Sequence, residues 1–448
     1  MQETMIGRPL SIERRVFQCG EIRVAPRPHS SLSGEECGFN YNKTGGITMS
    51  LQMDIEKRNH RKLGQELELF MSSEEAPGMP FYLPKGMIVR NELEQFWKRK
   101  HQDAGYEEIK TPIMMKQELW EQSGHWNHYH ENMYFSDVDE QHYALKPMNC
   151  PGAMLVFNHK RRSYRELPIR YAEMGLVHRH ELSGSLNGLL RVRAFTQDDA
   201  HLFVRKDQIE QEIDSVLDLI DEIYSEFGFS YEVELSTRPD NYMGSLELWN
   251  EAEQSLETVL KQRGMAYRIN KGDGAFYGPK IDFHILDSLG RSWQCGTVQL
   301  DFQMPEKFNC RYINEQNEPE FPIIIHRAIF GSVERFLAIL VEHFAGEFPL
   351  WLAPEQVRII PIADKHISYA DDVRKVLAKQ GFRVKVDDRG EKMGLKIREA
   401  EKQKVPYMLI VGDQEVENQL VSVRKRKEGD IGKLKLEEVL DTLNRNNE

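Results

Sequence analysis

The sequence predicts an α+β fold: a large antiparallel sheet backed by helices, then a small domain in which strands and helices alternate. Three observations predict it. Residues 179–201 read as two antiparallel strands joined by a glycine-punctuated loop over residues 182–190, because side-chain character on the return segment alternates with period two. Between residues 207 and 301, stretches with apolar residues at helical spacing separate further alternating stretches. After Phe348-Pro349-Leu350-Trp351-Leu352-Ala353-Pro354 the pattern changes to βαβ order. A length of 448 residues suits two or three domains. We set the boundaries at 1–50, 51–350 and 351–448.

Composition narrows the class. A hydrophobic content of 40 % supports a sizeable core, and the mean hydropathy of −0.58 fits a soluble chain. The net charge of −12 gives no global attraction to nucleic acid, so an RNA contact must use local basic patches. Residues 351–448 carry 20 Lys plus Arg against 18 Asp plus Glu, while the rest carries 39 against 53. The five cysteines (Cys19, Cys37, Cys150, Cys295, Cys310) are scattered and odd in number, which argues against a disulfide framework. No apolar run approaches a membrane span, and the first residues lack a leader pattern. The expectation is a cytoplasmic protein without membrane contact.

Residues 1–50 have no clear period and read as a poorly ordered extension, in which Cys19, His29 and Cys37 match no metal-site spacing. A turn-rich lead over 77–86 precedes an amphipathic helix over 87–104, with Met87, Val89, Leu93, Phe96 and Trp97 on its apolar side. It ends at Gly105, and a strand follows over 106–110. Residues 123–130, rich in His, Trp and Tyr, read as a polar loop. A strand at 143–145 leads to Cys150, which sits in a rigid turn before a helix. The helix over 207–227 is core and nothing more. Strands at 231–235 and 267–270 flank a charged helix over 246–263. Residues 274–283 bring Tyr277, Lys280 and Asp282 near one another. The strand over 291–301 sets Cys295, Thr297, Gln299 and Asp301 on one face. A short buried strand, Gly331 and an apolar helix to about His343 close the sheet, whose polar face is the expected active site. Beyond 351, strands at 357–362, 383–387 and 407–412 alternate with helices at 367–380 and 395–403.

The chemistry concentrates in the 179–201 segment. Arg179 and Glu181 point one way, and on the return strand Arg193, Phe195, Gln197, Asp199 and His201 share a face. Together they offer a guanidinium for phosphate, a ring for stacking, a carboxylate for an amine and an imidazole for a metal. Any one alone would read as a solvated strand face. Five on one strand do not look like a core.

Arg179-His180-Glu181 before the loop and Arg191 to Phe195 after it resemble motif 2 of the class II aminoacyl-tRNA synthetases. The resemblance implies that Arg179 holds the ATP α-phosphate, Glu181 reads the adenine amino group, Phe195 stacks on the purine and Arg191 completes the nucleotide set. The helix, Gly105 and the strand resemble motif 1, a dimer interface. Gly331-x-x-x-Arg335 resembles motif 3, which implies Arg335 against the ATP; the alternative, a salt-bridge partner, is disfavoured by three motifs in the right order. Within the class, Met148-Asn149-Cys150-Pro151-Gly152, Thr196 to His201 and Ile325-His326-Arg327-Ala328 match the threonyl-tRNA synthetases, over about residues 54–448.

Cys150, His201 and His326 lie far apart in sequence, so spacing gives no metal signature and each alone reads as a buried structural residue. The resemblance implies a Cys-His-His Zn²⁺ with open positions, as in catalytic zinc sites. It also implies that Asp199 takes the substrate ammonium, with Met148, Gln197, Tyr277, Cys295 and Gln299 finishing the threonine pocket. Lys280 joins the catalytic set, and His125 lies near the 3′ end of the tRNA. Glu415 and Arg424 fall where the family reads anticodon bases; the alternative for Arg424 is a solvated charged edge. The implied partners are L-threonine, ATP with Mg²⁺, tRNA(Thr) and a second copy in a homodimer. Family members usually carry ubiquitin-like and editing domains before the core. Only about fifty unpatterned residues precede it here, so the expectation is that neither is present and that seryl-tRNA(Thr), once made, is not hydrolysed. A non-catalytic paralogue that senses threonine or binds structured RNA stays open, although the intact Arg179, Phe195 and Arg335 set argues against it.

Overall fold

The computed structural model describes residues 55–447; the expectations for residues 1–50, with Cys19, His29 and Cys37, lie outside them. Helix α1 (Pro84–Asp103) begins on a proline, whose missing N–H costs nothing at the first turn, and it buries Val89, Leu93, Phe96 and Trp97. The expected start at 87 therefore moves to 84.

Eight strands form the main sheet: β1 (Glu107–Glu108), β2 (Ile169–His178), β3 (Ala194–Val204), β4 (Ser230–Ser236), β5 (Tyr267–Asn270), β6 (Lys280–Leu286), β7 (Ser292–Asp301) and β8 (Ile323–Ala328). Their order is β5-β4-β6-β7-β8-β3-β2-β1. The interior pairs are antiparallel, and only the edge strands β5 and β1 pair in parallel. Alternation sorts the two faces. Ala200, Leu202, Val233, Leu235, Ile281, Phe283, Val298 and Leu300 enter one buried core, shared with helices α3 (Ile209–Glu226), α4 (Leu246–Gln262) and α5 (Val333–His343). The residues between them, among them Asp199, His201, Asp282, Thr297 and Gln299, take the opposite face. Helix α2 (Cys150–Phe157) precedes β2 in the chain.

Two sequence expectations change here. The ladder between β2 and β3 ends at His178 and Ala194, so Arg179, Glu181, Arg191 and Arg193 belong to the connection rather than to the strands. Arg179 N–H still donates to Arg193 O (2.9 Å), but Glu181 N–H turns back onto Arg179 O (2.8 Å), which stops the pairing. Cys295 does not simply continue the polar face. The register between β6 and β7 shifts between Phe283 and His284, and Cys295 is the extra residue, packed into the helix-side core.

The C-terminal sheet has the order β10-β9-β11-β12-β13, from β9 (Val357–Pro361), β10 (Val384–Val386), β11 (Tyr407–Val411), β12 (Leu420–Lys425) and β13 (Gly429–Lys435). The first three are parallel, and β12 and β13 add an antiparallel hairpin that sequence reading did not separate. Helices α6 (Ile367–Lys379), α7 (Met393–Lys402), α8 (Asp413–Asn418) and α9 (Leu436–Arg445) complete it. Val357, Ile359, Val373, Leu377, Leu409, Val421, Val423 and Leu443 form its own core. Among the described residues, no helix is long and apolar enough to cross a membrane.

Candidate active site

Strand register aligns the chemistry. Facing residues on five neighbouring strands form a row, Tyr171–His201–His326–Gln299–Lys280. The next row on the same face is Glu173–Asp199–Ala328–Thr297–Asp282. Cys150, the first residue of α2, completes a buried trio with His201 and His326; their ligand atoms all lie within 4.8 Å of one another. The two imidazoles meet edge to face, centroids 4.8 Å apart.

The trio fits a metal on its own chemistry. His201 Nε2 is buried and has no partner, so a lone pair or proton is stranded there. Burial, and then the positive neighbours His326 and Arg327, press the His201 pKa far below its ordinary value, which leaves the neutral imidazole that a cation needs. Burial pushes the Cys150 thiol well above its usual range, and the carboxylates of Asp199 and Asp301 add to it. A thiol, two imidazoles and two nearby carboxylates make a site short of positive charge. His326 Nε2 meets Asp301 Oδ2 at 3.0 Å, the kind of carboxylate contact that orients metal-bound histidines. Three protein donors with room beside them match a zinc that keeps open positions.

Beside the trio, Asp199 is buried and its Oδ2 accepts from Asn149 Nδ2 at 3.0 Å. Burial raises its pKa against that hydrogen bond, so a cationic substrate group there would restore the carboxylate. Gln299 Nε2 donates to Gly278 O (3.0 Å), and Thr297 Oγ1 is buried without a partner.

The other end of the cleft carries the cations. Arg179 Nε donates to Pro147 O (3.1 Å), and its guanidinium lies 5.1 Å from the Phe195 ring centroid and 5.6 Å from that of Tyr129. Arg191 pairs with Glu181 at 3.1 Å. Arg335 Nε donates to Leu190 O (3.1 Å) and Nη1 to Gln294 O (3.0 Å), so main-chain carbonyls alone orient it and its charge is not neutralised by them. Lys280 bonds Asp282 and lies 3.1 Å from Asp273. The corner between β8 and α5 is fixed by Asp198, whose Oδ2 accepts the N–H of Ile329 (2.8 Å) and of Phe330 (2.9 Å). Gly331 follows at φ +75°; a Cβ there would stand 2.8 Å from Cys295 O, so only glycine fits.

One cavity of about 520 Å³ gathers Met148, Cys150, Arg179, Glu181, Arg191, Phe195, Gln197, Asp199, Tyr277, Lys280, Cys295, Gln299, His326 and Arg335. A cavity of about 600 Å³ near Lys85 and Arg358 is larger, but it holds none of this chemistry. His125 does not line the cleft. It is fully buried, with Nδ1 2.8 Å from Ser123 Oγ and Nε2 3.1 Å from Met148 Sδ, and burial followed by the Arg179 charge depresses its pKa to about 3. Glu415 and Arg424 belong to the C-terminal sheet. There the Glu415 carboxylate accepts Gly412 N–H (3.0 Å) and pairs with Lys433 (2.9 Å), while Arg424 Nε is buried without a partner. Sequence reasoning gave no role to Asn149 or Asp301. Asn149 lies in the Met-Asn-Cys-Pro-Gly stretch and Asp301 on an alternating strand, but nothing in either pattern names a hydrogen-bond partner.

An antiparallel sheet with Arg179, Phe195 and Arg335 over one face defines the core of a class II aminoacyl-tRNA synthetase. Residues 133–344 match the family described as tRNA synthetase class II core domain (G, H, P, S and T), and residues 356–446 match the anticodon binding domain. The threonine–tRNA ligase of Carboxydothermus hydrogenoformans is 59 % identical over 408 residues, covering 91 % of this chain and 64 % of that protein. A crystal structure of the RNA binding domain of threonyl-tRNA synthetase from Cryptosporidium parvum superposes with a TM-score of 0.84 at 42 % identity, covering 87 % of this chain and 98 % of that one. A putative threonyl-tRNA synthetase from Aeropyrum pernix gives a TM-score of 0.75 at 30 % identity, covering 86 % of this chain and 96 % of that one. The chain belongs to the threonyl-tRNA synthetase family. It spans 64 % of the length of the Carboxydothermus relative.

Proposed function

We propose that this chain is a threonine–tRNA ligase, with residues 51–350 as its catalytic part and residues 351–448 as the part that reads the anticodon. The observation that carries the reading is the buried Cys150–His201–His326 trio, of which Cys150 and His326 line the same cavity as Asp199, Arg179, Phe195 and Arg335. A zinc ion held by the trio would supply open coordination positions for the amino and β-hydroxyl groups of threonine.

The chain's own groups do the rest. Asp199 accepts a hydrogen bond from the substrate amino group, while Met148, Gln197, Tyr277, Cys295 and Gln299 bound the pocket. Phe195 and the Arg335 guanidinium sandwich the adenine, Glu181 accepts from its amino group, and Arg191 holds the tail of the triphosphate that enters with Mg²⁺. The threonine carboxylate attacks the α-phosphorus in line, and pyrophosphate leaves. Arg179, with Lys280 near, neutralises the charge that builds on the α-phosphate oxygens; donors already aimed at developing charge lower such barriers more than any other single device. The terminal ribose hydroxyl of tRNA(Thr) then attacks the threonyl carbonyl and AMP departs; His125, buried behind Met148, is assigned to support that wall of the pocket rather than to touch the ribose. Glu415 and Arg424 are assigned to the anticodon, and a second copy pairs along α1 and β1 in a cytoplasmic homodimer.

Threonine-dependent exchange of pyrophosphate into ATP tests the reading. Zinc-loaded protein should exchange with threonine. Serine lacks one methyl and should lose roughly 10–200-fold in kcat/KM, while valine lacks the hydroxyl and should fall by about ten-thousandfold. Absence of exchange, with threonine or structured RNA still bound, would replace the ligase by a regulator.

A further inference from the structure

The loop that closes the nucleotide cleft is held from outside the cleft by a histidine that the proposed chemistry does not use. His60 opens the short helix His60–Glu66 and is 1 % exposed. Its main-chain N–H and its Nδ1 both meet Glu342 Oε1, at 2.9 and 2.6 Å. Burial alone would raise the Glu342 pKa, but the hydrogen bonds from His60 and Arg291 hold it below the ordinary value, so this oxygen is an acceptor. Nδ1 therefore carries the proton and Nε2 keeps its lone pair. That lone pair accepts Leu189 N–H at 3.2 Å.

Leu189 lies in a tight turn whose neighbours are already used: Asn187 N–H donates to Arg191 O (3.1 Å) and Leu190 N–H to Asn187 O (2.9 Å). The residue is 1 % exposed, so the Leu189 amide has His60 or nothing. A Cβ on Gly188 would stand 2.1 Å from His60 Nε2, so the loop has been brought as close to the ring as a main chain comes. Arg61 adds a second tie to Asn187 Oδ1 at 2.7 Å. The next carbonyl along, Leu190 O, accepts from Arg335 Nε, and the next side chain, Arg191, pairs with Glu181. Arg335 and Glu342 stand two turns apart on α5, so the loop is tied to that helix near both ends.

We propose that His60 is a positioning residue for nucleotide binding: it holds the 187–191 turn so that Leu190 O orients Arg335 and Arg191 stays with Glu181 over the ATP. The ATP part of this inference rests on the ligase reading; the clamp itself does not.

Two measurements on the full chain separate them. Hydrogen–deuterium exchange of the peptide covering residues 187–191, read without substrates, should quicken at least tenfold in His60→Ala. In pyrophosphate exchange the same variant should raise KM for ATP about tenfold or more, with KM for threonine within twofold and zinc content unchanged. His60→Gln, whose side-chain oxygen can accept from Leu189, should recover most of both losses. Should His60→Ala fold poorly, Gly188→Ala serves. Its Cβ would stand 2.1 Å from His60 Nε2, so the turn has to move off the ring, and the same two effects follow. Unchanged exchange at 187–191 and an unchanged KM for ATP in a folded variant would overturn the proposal. Wild-type protein without threonine-dependent exchange would instead remove the ligase reading, and the deuterium result would still decide whether the clamp exists.

Discussion

At the scale of single residues, Cys150 is poorly explained as packing. A small hydrophobe would fill the same space, yet a thiol stands here between two imidazoles and two carboxylates, with His201 Nε2 left without a partner. A buried polar atom left so costs about 1–3 kcal/mol, which a bound cation removes. Protein prepared without chelators should hold about one zinc per chain, and Cys150→Ser should lose it while far-ultraviolet circular dichroism stays native. Wild-type protein found metal-free in such a preparation would remove the assignment. Alternation along β3 was enough to put Phe195, Gln197, Asp199 and His201 on one face, because a strand has only two faces to choose from. It could not bring Cys150 there. That residue arrives on a different element, and only its Met-Asn-Cys-Pro-Gly context pointed to the site. His60 was invisible for the same reason, since a helix that begins far upstream reveals nothing of the loop it will touch.

Among elements, the corner from β8 into α5 decides where Arg335 stands, and one buried carboxylate holds it. Asp198 faces away from the cleft and spends one oxygen on two successive amides, Ile329 and Phe330. Burial nonetheless lifts its pKa from 3.8 to about 6, against those hydrogen bonds and the Arg327 charge. The sign follows from linkage: a folded pKa above the unfolded one means stability that is complete below 3.8 and is lost as pH rises through about 6. Relative to Asp198→Asn, which does not titrate, wild-type protein should therefore lose roughly 1–3 kcal/mol between pH 4 and 7. Urea unfolding of both proteins across that range measures it, and a pH-independent difference would mean that Asp198 does not titrate as a buried acid. Strongly periodic elements such as α3 and β7 were legible to within two residues of their ends, because burial on one side writes itself into the sequence. The hairpin β12–β13 was not. Arg424-Lys425-Arg426-Lys427 reads as a solvated charge run, and β13 is an exposed edge whose glycines and lysines carry no strand signal. Helix α9 was readable in principle, since Leu436, Val439, Leu440 and Leu443 fall at helical spacing.

For the whole molecule, the question on the proposed ligase reading is how two sheets with separate cores would act on one tRNA. Residues 347–353 join them, and two partly buried arginines hold this link from the C-terminal side. Arg426 donates to Lys404 O (2.5 Å), Glu347 O (3.2 Å) and Phe348 O (3.2 Å). Arg383 donates to Ala353 O (2.9 Å) and Trp351 O (2.5 Å) and pairs with Glu92 on α1 at 2.7 Å. Burial lowers the pKa of both guanidiniums, and main-chain carbonyls rather than carboxylates take up most of their donors. Hydrogen bonds to a charged group contribute about 1.5–3 kcal/mol each, so loss of Arg426 would free the link on one side without opening either core. On the proposed ligase reading, adenylate formation would need only the N-terminal sheet, whereas charging would also need the anticodon sheet at a fixed distance. We therefore expect Arg426→Ala to keep threonine-dependent pyrophosphate exchange within twofold and to lose tenfold or more in tRNA charging. In calorimetry the variant should unfold in two steps where wild-type protein unfolds in one. Equal losses in exchange and charging, or none in either, would show that the arginine merely supports the fold and does not set the spacing between the two sheets.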